Sequence, residues 1–224
     1  MSETTPIIRA MRRDDLPRIE QLTCDMWYAD YDPKVGAALS HIDVEHCLGR
    51  TTFAQVAELD GEIVGLILAS IPAHTSKMIK LRHDLHIAGT ALTLLTSESG
   101  RRGLDEFTRI AKVDDQLLKD AGPFDAEVVL FVLAPAARGH GLGKRMFGSV
   151  MDYFIVNGID EYFLYTDTTC DYTFYEHRGL EQRGALPLET KPGDCYGSEP
   201  PTFFIYSGKT SHESYDYSSA TSSR

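Results

Sequence analysis

The chain has 224 residues with 33 acidic against 22 basic side chains, a formal charge of −11. That balance disfavours a nucleic-acid surface, which needs clustered cations, and would draw cationic partners such as amines. No apolar run approaches the ~20 residues that span a bilayer, and "MSETTPIIRA" has neither the basic start nor the apolar core of an export signal, so a cytoplasmic address without a membrane partner is expected.

Ile7 to Ala10 reads as a short strand. Leu16, Ile19, Leu22 and Met26 then follow at helix spacing, and a second helix is expected after Pro33, through Leu39, Ile42 and Leu48. In "FAQVAELDGEIVGLILAS" two apolar segments flank Asp60-Gly61, a dipeptide that favours the type I′ turn of a hairpin. Between 74 and 121, Met78, Leu81, Leu85, Ala88, Leu92 and Leu95 keep helix periodicity, as do Leu104, Phe107, Ala111 and Leu118 after the break "SESGRRG". These two amphipathic helices either pack their stripes on the domain or serve as a substrate lid or a subunit interface, the last building a homodimer. Val129 to Leu133 is a short, uncharged, β-branched run, expected as a strand buried on both faces and stopped by Pro135. Leu142, Met146, Val150 and Phe154 mark a helix that Asn157-Gly158 ends. A strand from Tyr162 to Thr166, a short helix near Tyr172 to His177 and strands near Leu180 to Leu186 and Thr202 to Ser207 complete the series. Residues 1–210 are expected as one domain, and the serine-rich 211–224, which lacks aliphatics, as a disordered tail.

The segment "VLFVLAPAARGHGLGKRMF" therefore turns from strand to helix through alternating glycines. A helix start offers N–H groups without internal partners, and glycines let an anion approach them, which is a phosphate-binding geometry. The dinucleotide pattern G-x-G-x-x-G fails, because Gly139-x-Gly141 leads to Lys144 and Gly141-x-Gly143 to Met146; the P-loop fails because Arg145 follows Gly143-Lys144. The spacing that fits is R-x-x-G-x-G, over Arg138, Gly139, His140, Gly141, Leu142 and Gly143. This loop resembles the coenzyme A pyrophosphate loop of the GNAT superfamily of N-acetyltransferases. The order of elements over 7–71 and 124–208 also resembles that fold, an α/β (α+β) architecture with a mixed, mostly antiparallel central sheet flanked by helices. Residues 74–121 depart from it as a large helical insertion.

The resemblance implies acetyl-CoA as co-substrate, with Val132 and Leu133 holding the pantetheine arm and Arg138, Gly139, His140, Gly141, Leu142, Gly143 and Lys144 the pyrophosphate. It implies transfer of the acetyl group to a small-molecule or peptide amine by direct attack. An alkyl amine with a pKa near 10.4 is neutral only about once in 2,500 at pH 7, so a base or a water relay is needed. Glu127 lies eleven positions before Arg138, the separation found in the histone acetyltransferase branch, where the strand glutamate is the base; the alternative is an exposed acid at a strand start. "TFYEHRGL" resembles the family's F-Y-x-x-x-G-[FL] segment, which makes Tyr175 the proton donor to the departing thiolate, with a packed core aromatic as the alternative. Thr168 stands where the family often has asparagine, which leaves room for a coenzyme-binding sensor or regulatory module without turnover. The acceptor wall is expected from the turn near Asp30 to Pro33, the insertion, and "PLETKPGDCYGSEPP". Cys24, Cys47, Cys170 and Cys195 form no C-x-x-C pair, which suits a reducing compartment, and Cys170 is expected as a small buried thiol. His83 and His86, or His41 with His46 and Cys47, lack a third ligand at a recognised spacing, so no metal is expected.

Overall fold

The computed structural model describes residues 6–137, 139, 141–191, 194 and 200–210. Seven strands form one sheet in the order β1-β2-β3-β4-β5-β7-β6: β1 Ile7–Ala10, β2 Phe53–Leu59, β3 Glu62–Ser70, β4 Ala126–Leu133, β5 Glu161–Asp167, β6 Glu181–Pro187 and β7 Thr202–Lys209. All neighbours are antiparallel except β4 with β5. The helices are α1 Leu16–Trp27, α2 Pro33–Leu48, α3 Lys77–Leu94, α4 Glu98–Ala121, α5 Leu142–Val156 and the single turn α6 Thr173–Glu176. None of them is long and apolar enough to cross a membrane.

The β2–β3 hairpin turns on Asp60 and Gly61 at φ 55° and 80°, the left-handed pair a type I′ turn requires. On one face of the sheet, Ala57, Ile67, Ala126 and Val128 pack against Met146, Phe147, Val150 and Phe154 of α5. On the other, Val56, Leu66, Leu68 and Val132 pack against Ile19 and Leu22 of α1 and Val44 of α2. Further along that second face, Phe163 and Ile205 meet Leu117 of α4.

Strand β4 carries the irregularity that shapes the site. Leu68 pairs with Leu130 and Ala69 with Val128, so Val129 is an extra residue without a partner. Such a bulge bends its strand and resets which face each side chain takes. Glu127 consequently faces α2 and α4, while Phe131 and Leu133 join the α5 face. Pairing of β4 with β5 covers only Ala126–Tyr162, Glu127–Phe163 and Val128–Leu164. Beyond the bulge the two strands separate.

The insertion is two helices, but two details differ from the sequence expectation. The stripe of Met78, Leu81, Leu85, Leu92 and Leu95 faces outward, each residue at least 51 % exposed. Instead α3 is held to α2 and α4 by His83, Ile87, Ala91 and Leu94. A pattern of periodicity gives the phase of a stripe and not the side on which its partner lies. The segment "SESGRRG" is also mostly helix: Ser97 caps α4 through Gly100 N, and Gly100 and Gly103 are buried in its first turns. A Cβ on Gly100 would lie 2.2 Å from Leu94 O, and one on Gly103 2.6 Å from a Leu39 methyl. These glycines mark close approach of chains rather than a break.

Candidate active site

Two strand-ends and a helix start meet where β4 leaves β5. After Pro135 the chain makes one 3₁₀ turn and reaches α5. Gly139 and Gly141 have φ of 81° and 66°, a region L side chains avoid, and nothing lies within 4 Å of a Cβ built on either. The glycines therefore serve backbone handedness and leave the approach clear. Gly141 is the N-cap, and among the described residues no side chain caps the first N–H groups of α5, which suits an acceptor such as a phosphate oxygen. Leu142 anchors the turn in the core, Gly143 packs against Phe131 and Phe174, and Lys144 is exposed. Arg138 and His140 lie outside the described residues, as do Cys195 and the tail 211–224.

Ala134 N donates to Val64 O. By the alternation of an antiparallel ladder, Val132 exchanges its bonds with Leu66, and the peptide groups of Phe131 and Leu133 turn toward the gap left by β5. Of the two positions expected to hold a pantetheine arm, Leu133 offers backbone to the gap, whereas Val132 contributes its side chain to the opposite core.

Tyr175 sits in α6 against Phe147, Phe174 and Tyr206, with ring centroids 5.4 to 6.3 Å apart. Burial, with a smaller contribution from Cys170, raises its phenol above the usual value, so it stays protonated at neutral pH. Nearby, burial and then Asp167 push the Cys170 thiol up to about 11, which favours the neutral thiol over the thiolate at neutral pH. Thr168 ties β5 to β7: its N–H donates to Thr202 O at 3.0 Å and its hydroxyl accepts from Thr202 N at 3.1 Å.

Glu127 lies on the other face, 7 % exposed. Both of its oxygens accept from the Arg50 guanidinium, at 3.1 and 3.2 Å. Burial works against the Arg50 charge, but Glu127 and its other acidic neighbours hold its pKa above the usual value. Around this pair stand three groups that sequence reasoning missed. Asp114 of α4 has a buried Oδ1 without a hydrogen-bond partner among the described residues. Tyr165, the first residue of β5 past its pairing with β4, donates its hydroxyl to Asp114 O at 2.9 Å. Asp43 of α2 accepts from the Tyr28 hydroxyl at 3.0 Å, and burial raises its carboxyl. Tyr175 and Glu127 thus occupy opposite faces of the sheet.

The three segments expected to line an acceptor wall are tied together by α4. Glu106 accepts from the Tyr31 hydroxyl of the α1–α2 turn at 2.8 Å. Arg109 donates to Glu189 O and to Asp194, and Lys191 reaches Asp105 at 2.7 Å, which fastens the loop before β7. Among the described residues no group of three or more His, Cys, Asp or Glu is placed to hold a metal. His83 and His86 instead share Glu45 Oε2, at 2.8 and 2.9 Å.

The model of the acetyltransferase (GNAT) family matches residues 16–180. No curated protein matches the sequence. Among solved structures, the chain is similar to a polyamine N-acetyltransferase from Drosophila melanogaster, TM-score 0.53 at 12% identity, covering 92% of this chain and 100% of that one. It is also similar to the ribosomal-protein-S18-alanine N-acetyltransferase of Escherichia coli, TM-score 0.51 at 11% identity, covering 92% and 94%. An N-acetyltransferase from Staphylococcus aureus Mu50 gives TM-score 0.50 at 11% identity, covering 92% and 99%. At these identities the likeness is one of fold.

Proposed function

The chain belongs to the GNAT acetyltransferase family, and from that premise we propose that it transfers an acetyl group from acetyl-CoA to a primary amine, by direct attack within a ternary complex. The observation that carries the reading is the open, left-handed glycine corner at the start of α5, set beside the unpaired edge of β4. The first turn of α5, with Lys144 beside it, would hold the pyrophosphate, together with Arg138 and His140. The peptide groups of Phe131 and Leu133 would hold the pantetheine arm, with Val132 supporting the strand from behind. In this reading the thioester would lie in the opening between β4 and β5, where a nearby phenol could discharge the charge developing on sulfur.

Tyr175 would supply that proton. Its burial leaves it fully protonated but a weaker acid than free tyrosine, so it can serve only a thiolate held against it. Glu127, the candidate base by its spacing, would act from within its ion pair, in which each oxygen accepts one bond from the Arg50 guanidinium and keeps a further lone pair. The insertion, in the same proposal, both walls the acceptor site through α4 and joins two copies of the chain through the outer stripe of α3.

Calorimetry with acetyl-CoA and thiol release with a panel of amines test the reading. Micromolar binding together with amine-dependent release is expected. Binding without release by any amine would identify a sensor, and no binding would remove the coenzyme site. Tyr175→Phe should lower kcat by about 10²-fold with little change in acetyl-CoA affinity; equal loss of both would assign the ring to packing alone.

A further inference from the structure

The acyl-transfer reading above is the ground for one step more, to the chemistry of the acceptor. We propose that Asp114, carried by the insertion helix α4, binds the ammonium of a primary alkylamine at the mouth of the β4–β5 opening and takes its proton before attack. A buried carboxylate oxygen without a partner is costly to a fold unless a ligand completes it, and Asp114 Oδ1 is such an atom. Its position is fixed rather than incidental. The Tyr165 hydroxyl clamps the Asp114 backbone to β5 at the first residue past Leu164, where the two strands begin to part.

The surrounding charges select a cation. Arg50 faces Asp114 from the turn after α2 and the Cys47 thiol from the last turn of that helix, Glu127 from β4, Asp167 and Tyr165 from β5, and Asp115 stands next to it on α4. Arg50 is the one cation among them, and both of its hydrogen bonds in this group go to Glu127. Three carboxylates remain for a positive ligand. Asp167 is engaged with the backbone and hydroxyl of Thr169 and Asp115 is exposed to solvent, which leaves Asp114 as the acceptor with a buried, vacant oxygen.

The proton bookkeeping closes with the groups present. Asp114 takes one proton from R–NH₃⁺. The freed nitrogen lone pair forms the N–C bond as the C–S bond breaks and its electron pair leaves on sulfur. The thiolate is protonated by Tyr175, the nitrogen returns a second proton that restores the phenol, and Asp114 releases its own to solvent. The sum is one amide, one thiol and one proton released. Burial, opposed by Arg50 and aided by Glu127, pushes the Asp114 carboxyl up to about 7. Proton transfer from an alkylammonium is then uphill by a factor of about 2,500 rather than about three million, as it would be for an ordinary aspartate.

The test compares wild type, Asp114→Asn and Asp120→Asn, the last removing an exposed charge from the same helix. Acetyl-CoA binding by calorimetry should agree within about twofold across the three; failure of wild type to bind would strike the acyl-transfer reading itself. Thiol release is followed with n-butylamine and 1,4-diaminobutane, cationic at neutral pH, and with aniline, which is neutral. Asp114→Asn should lose about a hundredfold in kcat/KM for the alkylamines, keep aniline within about threefold of wild type, and lose the limb of the pH profile that falls away below about 7. Asp120→Asn should match wild type. Alkylamine turnover that survives Asp114→Asn, an unchanged pH profile, or acetyl-CoA binding with no release by either alkylamine would each overturn the assignment.

Discussion

At Asp114, function and stability pull in opposite directions. The unfolded carboxyl ionises near 3.8, the folded one near 7, so between those values the native state holds a proton that the unfolded chain has released. Stability is undiminished below about pH 4, falls as pH rises through this window, and stays lowered above it, with an upper limit of about 4 kcal/mol. Asp114→Asn cannot ionise and should therefore be more stable than wild type at pH 8, with the difference vanishing near pH 4. Urea denaturation at the two values measures this, and a gap independent of pH would contradict the buried carboxylate. Such residues were the least legible in the sequence. Gly139, Gly141 and Tyr175 announce themselves by spacing within short segments, whereas Asp114 and Arg50 become neighbours of Glu127 only when α2, α4 and β4 are brought together, and nothing local to "KVDDQ" or "GRTT" records that meeting.

At the scale of elements, periodicity and turn chemistry located nearly every strand and helix, because each rests on local rules: a left-handed dipeptide for the β2–β3 hairpin, a 3.6-residue stripe for α5. What those rules could not give was direction. The apolar stripe of α3 is real and faces outward, since the inner face relies on His83 and His86 bonding Glu45 and on Ile87, Ala91 and Leu94. Gly100 and Gly103 look like a break for the same reason: a glycine that admits a neighbouring chain is indistinguishable in sequence from one that ends a helix. Gly103→Ala would press a methyl against Leu39, and overpacking of this kind should cost about 1 to 3 kcal/mol. The same change should weaken alkylamine turnover more than acetyl-CoA binding, because α4 carries Asp114 and not the glycine corner. Loss of both in equal measure would argue for general unfolding.

For the whole molecule, the exposed face of α3 is an apolar surface that the fold leaves uncovered among the described residues. Met78, Ile79, Leu81, Leu85, Leu92 and Leu95 are 47 to 81 % exposed along one helix. Large apolar side chains gathered on one helix in this way mark an interaction surface, and a standard interface buries roughly 800 Å² per partner. A second copy supplies an identical stripe, and an isologous pair of α3 helices would cover both. Wild type should sediment as a dimer at micromolar concentration and Leu85→Glu as a monomer with undiminished acetyl-CoA binding; a monomeric wild type would refute the pairing.

The parallel seam between β4 and β5 is only three residue pairs long. A sheet so narrowly stitched is two plates on a short hinge, β1 to β4 on one side and β5, β7 and β6 on the other, with the core of α5 packed across both. Whatever lodges in the wedge between the plates acts as a rivet, so occupancy there and rigidity of the entire enzyme should rise and fall as one quantity.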